Sequence, residues 1–216
     1  TLQQSSAASD VYKRQAIKGL KLSLKGDAND YVGKGLSGGS ISIKLQDESN
    51  LISNENTIIG NTVLYGATSG KLFAAGQAGE RFAVRNSGAT AVVEGCDSNG
   101  CEYMTGGNII ILGDVGDNFA AGMTGGMAFV YDKNNNFEKR VNSESVIWQI
   151  PETDYWKNYL RKIISEHVSE TYSEYAKKIL DNFEGEIRNF YQVCPKEMLD
   201  KLDNPITLKS VKSFAS

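Results

Sequence analysis

Short runs of apolar residues, each preceded by a glycine-containing turn, recur along the first two-thirds of the chain. Runs of this kind, rich in β-branched and aromatic residues and bounded by glycine, are typical of β-strands. They are ISIKL (41–45), KLFAA (71–75), ATAVVE (89–94), NIIILG (108–113) and MAFVYD (127–132). The pattern therefore predicts many short strands joined by tight corners.

The hydrophobic pattern changes near residue 150, where apolar positions begin to recur every four residues. This spacing is the stripe of an amphipathic helix. It comprises Tyr155/Trp156, Tyr159/Leu160, Ile163/Ile164 and His167/Val168. Thr153 and Ser173 are suited to N-cap two successive helices. We expect His167 to pack at the edge of the apolar stripe, and FYQVCP (190–195) to form a short extended segment.

The strand-like region is internally repetitive. GDANDYVGKGLSGG (26–39) and GDVGDNFAAGMTGG (113–126) share their aspartates and most of their glycines, and similar corners lie between them. The closing glycines, Gly39, Gly70, Gly88, Gly107 and Gly126, are 31, 18, 19 and 19 residues apart. A period this short suits one coil of a β-solenoid, with neighbouring coils about 4.8 Å apart.

Two details follow from the repeat. The long first interval contains QDESNLISNEN (46–56), which predicts a surface loop. A shift of 19 residues makes Thr90, Ile109 and Ala128 equivalent, and likewise Val92, Ile111 and Val130. Because strand side chains alternate between faces, we expect the members of each set to point the same way. Ser, Thr or Asn residues before the closing glycines are expected to bond the local backbone or to form a ladder along the stack.

The segment GKGLSGG (33–39) matches the G-x-G-x-x-G spelling of a dinucleotide-binding turn through Gly33, Gly35 and Gly38. A genuine fingerprint follows an apolar strand and opens a helix. Here the segment follows the polar GDANDY and leads into ISIKL, and the repeat replaces Gly33 by Ala120. We therefore interpret it as a corner, and keep a nucleotide-binding enzyme as an alternative hypothesis.

Composition restricts the function further. A net charge of −3 without a basic stripe argues against nucleic-acid binding, and no apolar run is long enough to span a membrane. The three cysteines, Cys96, Cys101 and Cys194, are an odd number without a secretory signal, which indicates a reducing cytoplasm and small buried thiols. They form no pattern of metal ligands.

Other candidate groups have ordinary structural explanations. The acidic corners GDAND and GDVGD are interpreted as solvated turns rather than cation sites. With a single histidine, Ser-His-Asp or Cys-His catalysis has little basis. We expect Glu80, Arg81, Arg85, Glu94 and Glu102 to pair between coils or to contact a neighbouring domain. No catalytic, cofactor-binding or metal-binding residue is therefore assigned to this chain.

Several long blocks closely resemble the C-terminal glycine-motif (GXGXG) domain of the glutamate synthase large (alpha) subunit. They include GDANDYVGKGLSGG, LYGATSGKLFAAGQAGERFAVRNSGATAVVEG, GCEYMTGGNIIILG and NFAAGMTGGMAFVYD. The similarity extends from about Ile17 to Pro195, including the helices, and does not include residues 1–15. Cys96 and the insert at 46–56 depart from the family pattern.

The resemblance implies a right-handed parallel β-helix of about 19-residue coils, followed by a short C-terminal helical segment. We expect a non-native or disordered tail at 1–15, the β-helix at 16–150, helices packing on the solenoid at 151–195, and a loosely ordered tail at 196–216. The mostly-β half and the helical half meet where the glycines end and the prolines begin.

The function implied by the resemblance is structural. In the family, the complete enzyme forms two glutamates from glutamine and 2-oxoglutarate, using an amidotransferase domain and a synthase domain that holds FMN and an iron–sulfur cluster. The β-helix domain packs against both, in the same chain or in separate subunits, and itself carries no cofactor. The resemblance leaves open whether a small NAD(P)H-oxidising subunit is a further partner. It also leaves open whether the electron donor is NADPH, NADH or ferredoxin. The alternative is a β-helix subunit of another redox complex, such as formylmethanofuran dehydrogenase.

Overall fold

The strands of the solenoid are short, none longer than the eight residues of the strand at Ser37–Lys44. The computed structural model describes residues 16–207, so the predicted tail at 1–15 and residues 208–216 lie outside the described part. The strands are β1 (Lys21–Lys25), β2 (Ser37–Lys44), β3 (Thr57–Ile59), β4 (Ser69–Ala74), β5 (Gln77–Ala78), β6 (Ser87–Val93), β7 (Thr105–Ile111), β8 (Gly125–Tyr131), β9 (Val146–Gln149) and β10 (Phe190–Pro195).

Six of these strands form one parallel wall, in which each coil contributes the next strand. Their order is β1-β2-β4-β6-β7-β8, and every pair along it is parallel. A second wall consists of β3 and β5 together with single bridges such as Cys96 to Val115. The chain thus winds into a β-solenoid of about six turns, which confirms the predicted fold class.

The third side of each coil has an unusual backbone. In each of five successive coils, three residues spaced two apart adopt left-handed φ angles, and only some of them are glycine. They are Tyr31, Gly33 and Gly35; Thr62, Leu64 and Gly66; Arg81, Ala83 and Arg85; Asn99, Cys101 and Tyr103; Asn118, Ala120 and Gly122. Their N–H groups bond between coils, as where Ala83 N donates to Val63 O at 2.9 Å and Cys101 N donates to Phe82 O at 2.7 Å. The stacking of coils thus holds this strained conformation.

The closing glycines are required by close approach as well as by φ. Gly107 and Gly126 have positive φ angles, whereas the φ angle of Gly88 is not in the left-handed region. A Cβ at Gly88 would collide with the carbonyl oxygen of Thr68 in the preceding coil. Successive backbones therefore touch at this corner, where a side chain cannot be accommodated.

The strand register differs from the predicted 19-residue shift at one step. Ile109 faces Ala128 as expected, but its partner in β6 is Ala91, and Thr90 pairs with Asn108. The predicted equivalence of Thr90 with Ile109, and of Val92 with Ile111, is therefore wrong. A bulge between Ser87 and Thr90 absorbs one residue, and a one-residue slip moves each side chain to the opposite face.

Three helices lie between β9 and β10: α1 (Asp154–Thr171), α2 (Glu174–Asp181) and α3 (Phe183–Glu186). The two predicted N-caps are confirmed, since Thr153 accepts from Trp156 N and Ser173 accepts from Ala176 N. Helix α1 contacts β2, β4 and β6 of the parallel wall. The predicted loop at 46–56 is exposed or partly exposed along its whole length, which confirms it as surface.

The parallel wall separates two hydrophobic cores. Ile109 and Ile111 face the solenoid interior, while Ile110 and Phe129 face the helices, where Leu160 and Ile164 cover them. A strand buried on both faces carries a continuous apolar run instead of an alternating one. This arrangement explains the run of three isoleucines at the end of β7.

One end of the solenoid is covered by the chain itself. Strand β10 pairs antiparallel with β8 and with β9, which ends the parallel ladder on that side. Phe137 stacks on Tyr191 and meets Trp148 edge to face beneath this cover. The segment after β10 is also held against the molecule. Its Asn204 O accepts a hydrogen bond from Trp156 Nε1 at 3.1 Å, and its Ile206 is buried.

Candidate functional site

The GKGLSGG segment has the geometry of a solenoid corner. Gly33 and Gly35 both have φ of +67°, and the chain continues directly into β2. A pyrophosphate site of the dinucleotide type needs a helix N-terminus at this point. Lys34 is exposed, and its Nζ lies 5.1 Å from the ring centre of Tyr31 and 5.6 Å from that of Tyr65. The nucleotide-binding hypothesis therefore lacks its structural basis.

The three cysteines are free, buried and divided between the two cores, which confirms the prediction of small buried thiols. Cys96 and Cys101 lie in the solenoid interior, whereas Cys194 packs on the helix side of the wall. Burial raises the pKa of Cys96 and Cys101, and raises the pKa of Cys194 to about 11. All three thiols are accordingly protonated at neutral pH, and no shared cluster brings them together as metal ligands.

The acidic corners use their carboxylates within the fold. Asp30 Oδ1 accepts from Asn61 N at 2.7 Å in the next coil, and Asp117 forms an ion pair with Arg140. Within residues 16–207, no group of three or more His, Cys, Asp or Glu side chains is arranged to hold a metal ion. These corners are turns stabilised by their neighbours.

A side-chain ladder does occur, but not next to the closing glycines. Asn118 Nδ2 donates to Asn99 Oδ1 at 2.9 Å, and Asn142 Nδ2 donates to Asn118 Oδ1 at 2.9 Å. Asn99 and Asn118 are also the first left-handed residues of their corners, a conformation that asparagine tolerates well. Ser87 bonds instead to the backbone of the previous coil, through Ala67 O at 3.0 Å. The 19-residue spacing of the two asparagines was a usable signal for this ladder.

The charged residues of the GERFAVRNSG region divide into exposed and buried members. Arg81 Nε lies 4.0 Å from Glu102 Oε2 in the next coil, an ion pair between coils as predicted. Glu80 and Arg85 are exposed. Glu94 differs from all of them, because it is 1% exposed.

Glu94 is the centre of a buried polar cluster that sequence reasoning missed. Its Oε1 accepts a hydrogen bond from Ser173 Oγ, and His167 Nε2 lies 3.6 Å from the same oxygen. His167 is fully buried, so the expectation that it packs at the edge of the stripe is wrong. In the described part of the chain, Glu94 Oε2 and both ring nitrogens of His167 have no hydrogen-bond partner.

The cluster holds the turn between α1 and α2 against the wall. Ser173 Oγ also accepts from Ala176 N at 3.0 Å, so the hydroxyl is engaged as an N-cap while it donates to Glu94. Serine, histidine and a carboxylate are the ingredients of a hydrolase triad, but here all three are shielded from solvent and substrate. The arrangement therefore fits an anchor rather than a nucleophile.

The available sequence signal for Glu94 was its position directly after the apolar run ATAVV. Asp132 occupies the same place after MAFVY and is also buried, where its carboxylate accepts from Asn136 N at 3.0 Å and from Phe137 N at 2.9 Å. An acidic residue that ends a doubly buried strand thus binds the segment that follows or covers it.

The fold and these groups define a class: a glycine-cornered parallel β-solenoid with a helical cover, in which Glu94, His167 and the three thiols are buried. The family model described as GXGXG motif matches residues 7–196. The chain belongs to the GXGXG motif family, which confirms the family resemblance drawn from its sequence; the match begins at residue 7, earlier than the start near Ile17 given above.

Three relatives illustrate the similarity. The chain is 63% identical over 193 residues to the glutamate synthase (NADPH) large chain of Azospirillum brasilense, which covers 89% of this chain and 13% of that protein. It is 51% identical over 179 residues to glutamate synthase (NADH) of Schizosaccharomyces pombe, a match that covers 83% of this chain and 8% of that protein. It is 51% identical over 178 residues to the ferredoxin-dependent glutamate synthase of Antithamnion sp., a match that covers 82% of this chain and 12% of that protein.

The chain therefore spans about an eighth or less of the length of these relatives. Among the helices that the structure describes, none has the length and apolar character needed to cross a membrane.

Proposed function

We propose that this chain acts as a domain of a glutamate synthase large chain, an oxidoreductase of nitrogen assimilation. The complete enzyme forms two glutamates from glutamine and 2-oxoglutarate. The observation that carries the proposal is the 63% identity over 193 residues to the large chain of Azospirillum brasilense. Identity of this extent argues against the alternative of a subunit of formylmethanofuran dehydrogenase or another redox complex.

Within that enzyme we assign the domain a scaffolding role. It packs against the amidotransferase domain and the FMN-containing synthase domain, and fixes the relation between their active sites. This role is supported by the doubly buried wall, the ladders between coils and the burial of Glu94, His167 and the three thiols. We assign FMN and the iron–sulfur cluster to the synthase domain. The thiols of this chain lie in two separate cores and so do not come together as ligands of a cluster.

The electron donor is selected outside this domain. Over the matched region, relatives named for NADPH, NADH and ferredoxin are 63%, 51% and 51% identical to this chain. A surface that recognised one donor would not be expected to persist alike in all three. We also propose a cytoplasmic location, since reduced buried thiols suit a reducing compartment.

The proposal is tested on the complete polypeptide that contains this sequence, purified with its flavin and iron–sulfur cluster. It should convert glutamine and 2-oxoglutarate to glutamate when supplied with a reductant. Failure to form glutamate from glutamine, in a preparation with both cofactors bound, would overturn the proposal.

The scaffolding role has a separate readout. In the complete enzyme, substitutions that loosen the solenoid should lower glutamine-dependent glutamate formation more than ammonia-dependent formation. Only the first reaction needs the two active sites in register. Equal losses of both rates would argue against a role in coupling the sites.

A further inference from the structure

The carboxylate of Glu94 and the imidazole of His167 meet where the helical cover packs on the parallel wall. Glu94 is 1% and His167 is 0% exposed, and His167 Nε2 lies 3.6 Å from Glu94 Oε1. Among residues 16–207, His167 is the only basic side chain within 4.0 Å of this carboxylate. A negative charge on Glu94 is therefore balanced at close range only by a proton on His167.

The hydrogen bonds of the cluster identify Glu94 as an acceptor. Ser173 Oγ accepts from Ala176 N at 3.0 Å, so the hydroxyl proton is directed to Glu94 Oε1. Glu94 Oε2 has no hydrogen-bond partner among the described residues. A proton on that oxygen would be a buried donor without an acceptor, which costs free energy. The neutral acid thus gains no hydrogen bond that the carboxylate lacks.

The ends of two helices supply opposite partial charges at this cluster. Glu94 bonds to Ser173, the N-cap of α2, where the helix carries partial positive charge. His167 lies one turn before Thr171, the last residue of α1, near the end that carries partial negative charge. The two helix ends therefore favour an anion on Glu94 together with a cation on His167.

The acidic residues that flank His167 in α1 already have partners on the wall. Glu166 pairs with Lys71 of β4 at 2.5 Å, and all of this contact is partly exposed. Glu170 pairs with Lys21 of β1 at 2.7 Å. Neither carboxylate is left to balance a charge on the imidazole.

The other elements packed around the cluster contribute no further charge to it. From β4, the ring of Phe73 lies 6.0 Å from the imidazole, centre to centre. From β2, Lys44 Nζ lies 4.3 Å from the ring centre of Tyr172. From α2, Tyr175 donates to Leu112 O at 2.6 Å, and burial raises the pKa of Tyr175 to about 12, so this phenol is neutral.

We propose that Glu94 and His167 form a buried ion pair that fixes the helical cover to the wall, and that this attachment depends on the proton of His167. With the proton in place, the two charges balance each other. Without it, the buried carboxylate retains only the hydrogen bond from Ser173. Since a buried charge that loses its partner strongly destabilises a fold, the pair makes the stability of the chain sensitive to pH.

NMR of the 216-residue chain, labelled with 15N in histidine, measures the charge of the imidazole directly. His167 is the only histidine, so its ring signals need no further assignment. At pH 7 both ring nitrogens should carry a proton, which is the pattern of an imidazolium. A neutral ring with one protonated nitrogen would overturn the proposal.

Glu94→Gln removes the counter-charge while it keeps the shape of the side chain. His167 should then become neutral at pH 7, because burial without a counter-charge disfavours the charged form. The matched control is Glu166→Gln, which removes the neighbouring carboxylate that pairs with Lys71 and should leave His167 charged. An imidazolium that persists in folded Glu94→Gln would contradict the ion pair.

The unmodified protein provides a test that needs no variant. A histidine in an unfolded chain loses its proton near pH 6.5. The contribution of the ion pair is therefore fully present below about pH 6.5, and is lost as the pH rises through the interval in which the folded imidazole loses its proton. The midpoint of urea unfolding should fall over the same interval in which NMR shows the ring becoming neutral.

His167→Gln separates this effect from other titrations. Between about pH 6.5 and that interval, the equilibrium constant for unfolding of the unmodified protein should rise about tenfold per pH unit relative to that of the variant, because one proton is released on unfolding. If the ring becomes neutral without a fall in the urea midpoint of the unmodified protein, the pair does not fix the cover and the proposal is wrong.

Discussion

At the scale of single residues, the corners show that glycine marks only part of the left-handed backbone. Gly33 is the second left-handed residue of its corner, and Leu64, Ala83, Cys101 and Ala120 take the same conformation in the other coils. Each non-glycine residue there costs about 1–2 kcal/mol, which the hydrogen bonds between coils and the packing of the side chain must offset. The positions of the glycines in the sequence therefore identify only some of the left-handed residues.

Two kinds of glycine should respond differently to alanine. Gly125→Ala places a Cβ against the carbonyl oxygen of Thr105, and we expect it to lower the free energy of unfolding by about 3 kcal/mol or more. Gly35→Ala adds a Cβ in open space at positive φ, and should cost about 1 kcal/mol. Urea unfolding of the two variants measures the difference, and equal losses would contradict the close approach of the backbones.

The buried cysteines should be inert in the folded protein. Because burial raises the pKa of Cys194 to about 11, only about one molecule in a thousand carries its thiolate at pH 8, and Cys96 and Cys101 are shifted further. A thiol-specific chromogenic reagent should label none of the three within minutes in native buffer, and all three in denaturant. Rapid labelling of one thiol before unfolding would show that its core opens.

At the scale of elements, the helical cover is attached by a polar contact as well as by apolar packing. The turn between α1 and α2 sets Ser173 on Glu94 at the end of β6, beside His167. A buried carboxylate that loses its hydrogen-bond donor retains its desolvation cost, so removal of this hydrogen bond should lower the free energy of unfolding. It fixes where along the wall the helices lie, which an apolar surface alone specifies less sharply.

Ser173→Ala should therefore be more damaging than the loss of an ordinary helix cap. Thr153→Ala is the matched control, since Thr153 caps α1 and makes no hydrogen bond to a buried carboxylate of residues 16–207. We expect about 2–4 kcal/mol for Ser173→Ala and about 1 kcal/mol for Thr153→Ala in thermal or urea unfolding. If the two losses are equal, the bond to Glu94 contributes nothing, and a Glu94→Gln double-mutant cycle should then show no coupling.

At the scale of the whole molecule, the parallel wall is shared by the solenoid interior and the helical cover. Ile109 and Ile110 are neighbours in β7, yet each belongs to a different core. A loss of packing on either side weakens the same ladder of hydrogen bonds. The solenoid and its helices should therefore unfold together.

Ile109→Ala and Ile110→Ala test this cooperativity. Each truncates a fully buried side chain and should cost about 2–5 kcal/mol. Helical circular dichroism and tryptophan fluorescence should report the same lowered transition in both variants. Separate transitions for Ile110→Ala, with the helices lost first, would show two independent units. Ser23→Ala, on the exposed face of β1, is the control and should change little.

The sequence alone was enough for the solenoid, the coil length, the surface loop and the two helix caps. These features are local or periodic: a corner needs particular residues within a few positions, and an amphipathic helix repeats its apolar stripe every turn. The family resemblance rested on the same blocks, and the match to the GXGXG motif family confirmed it.

The tertiary structure alone decided which coil positions face one another and which polar groups are buried. One bulge beside Ser87 moved Thr90 and Val92 to the opposite faces from those predicted. Glu94 and His167, far apart in the chain, meet only because α1 folds back over the wall. The physical reason is that the chain's own spacing specifies turns and periodicity, whereas burial and register depend on contacts between coils that no single segment contains.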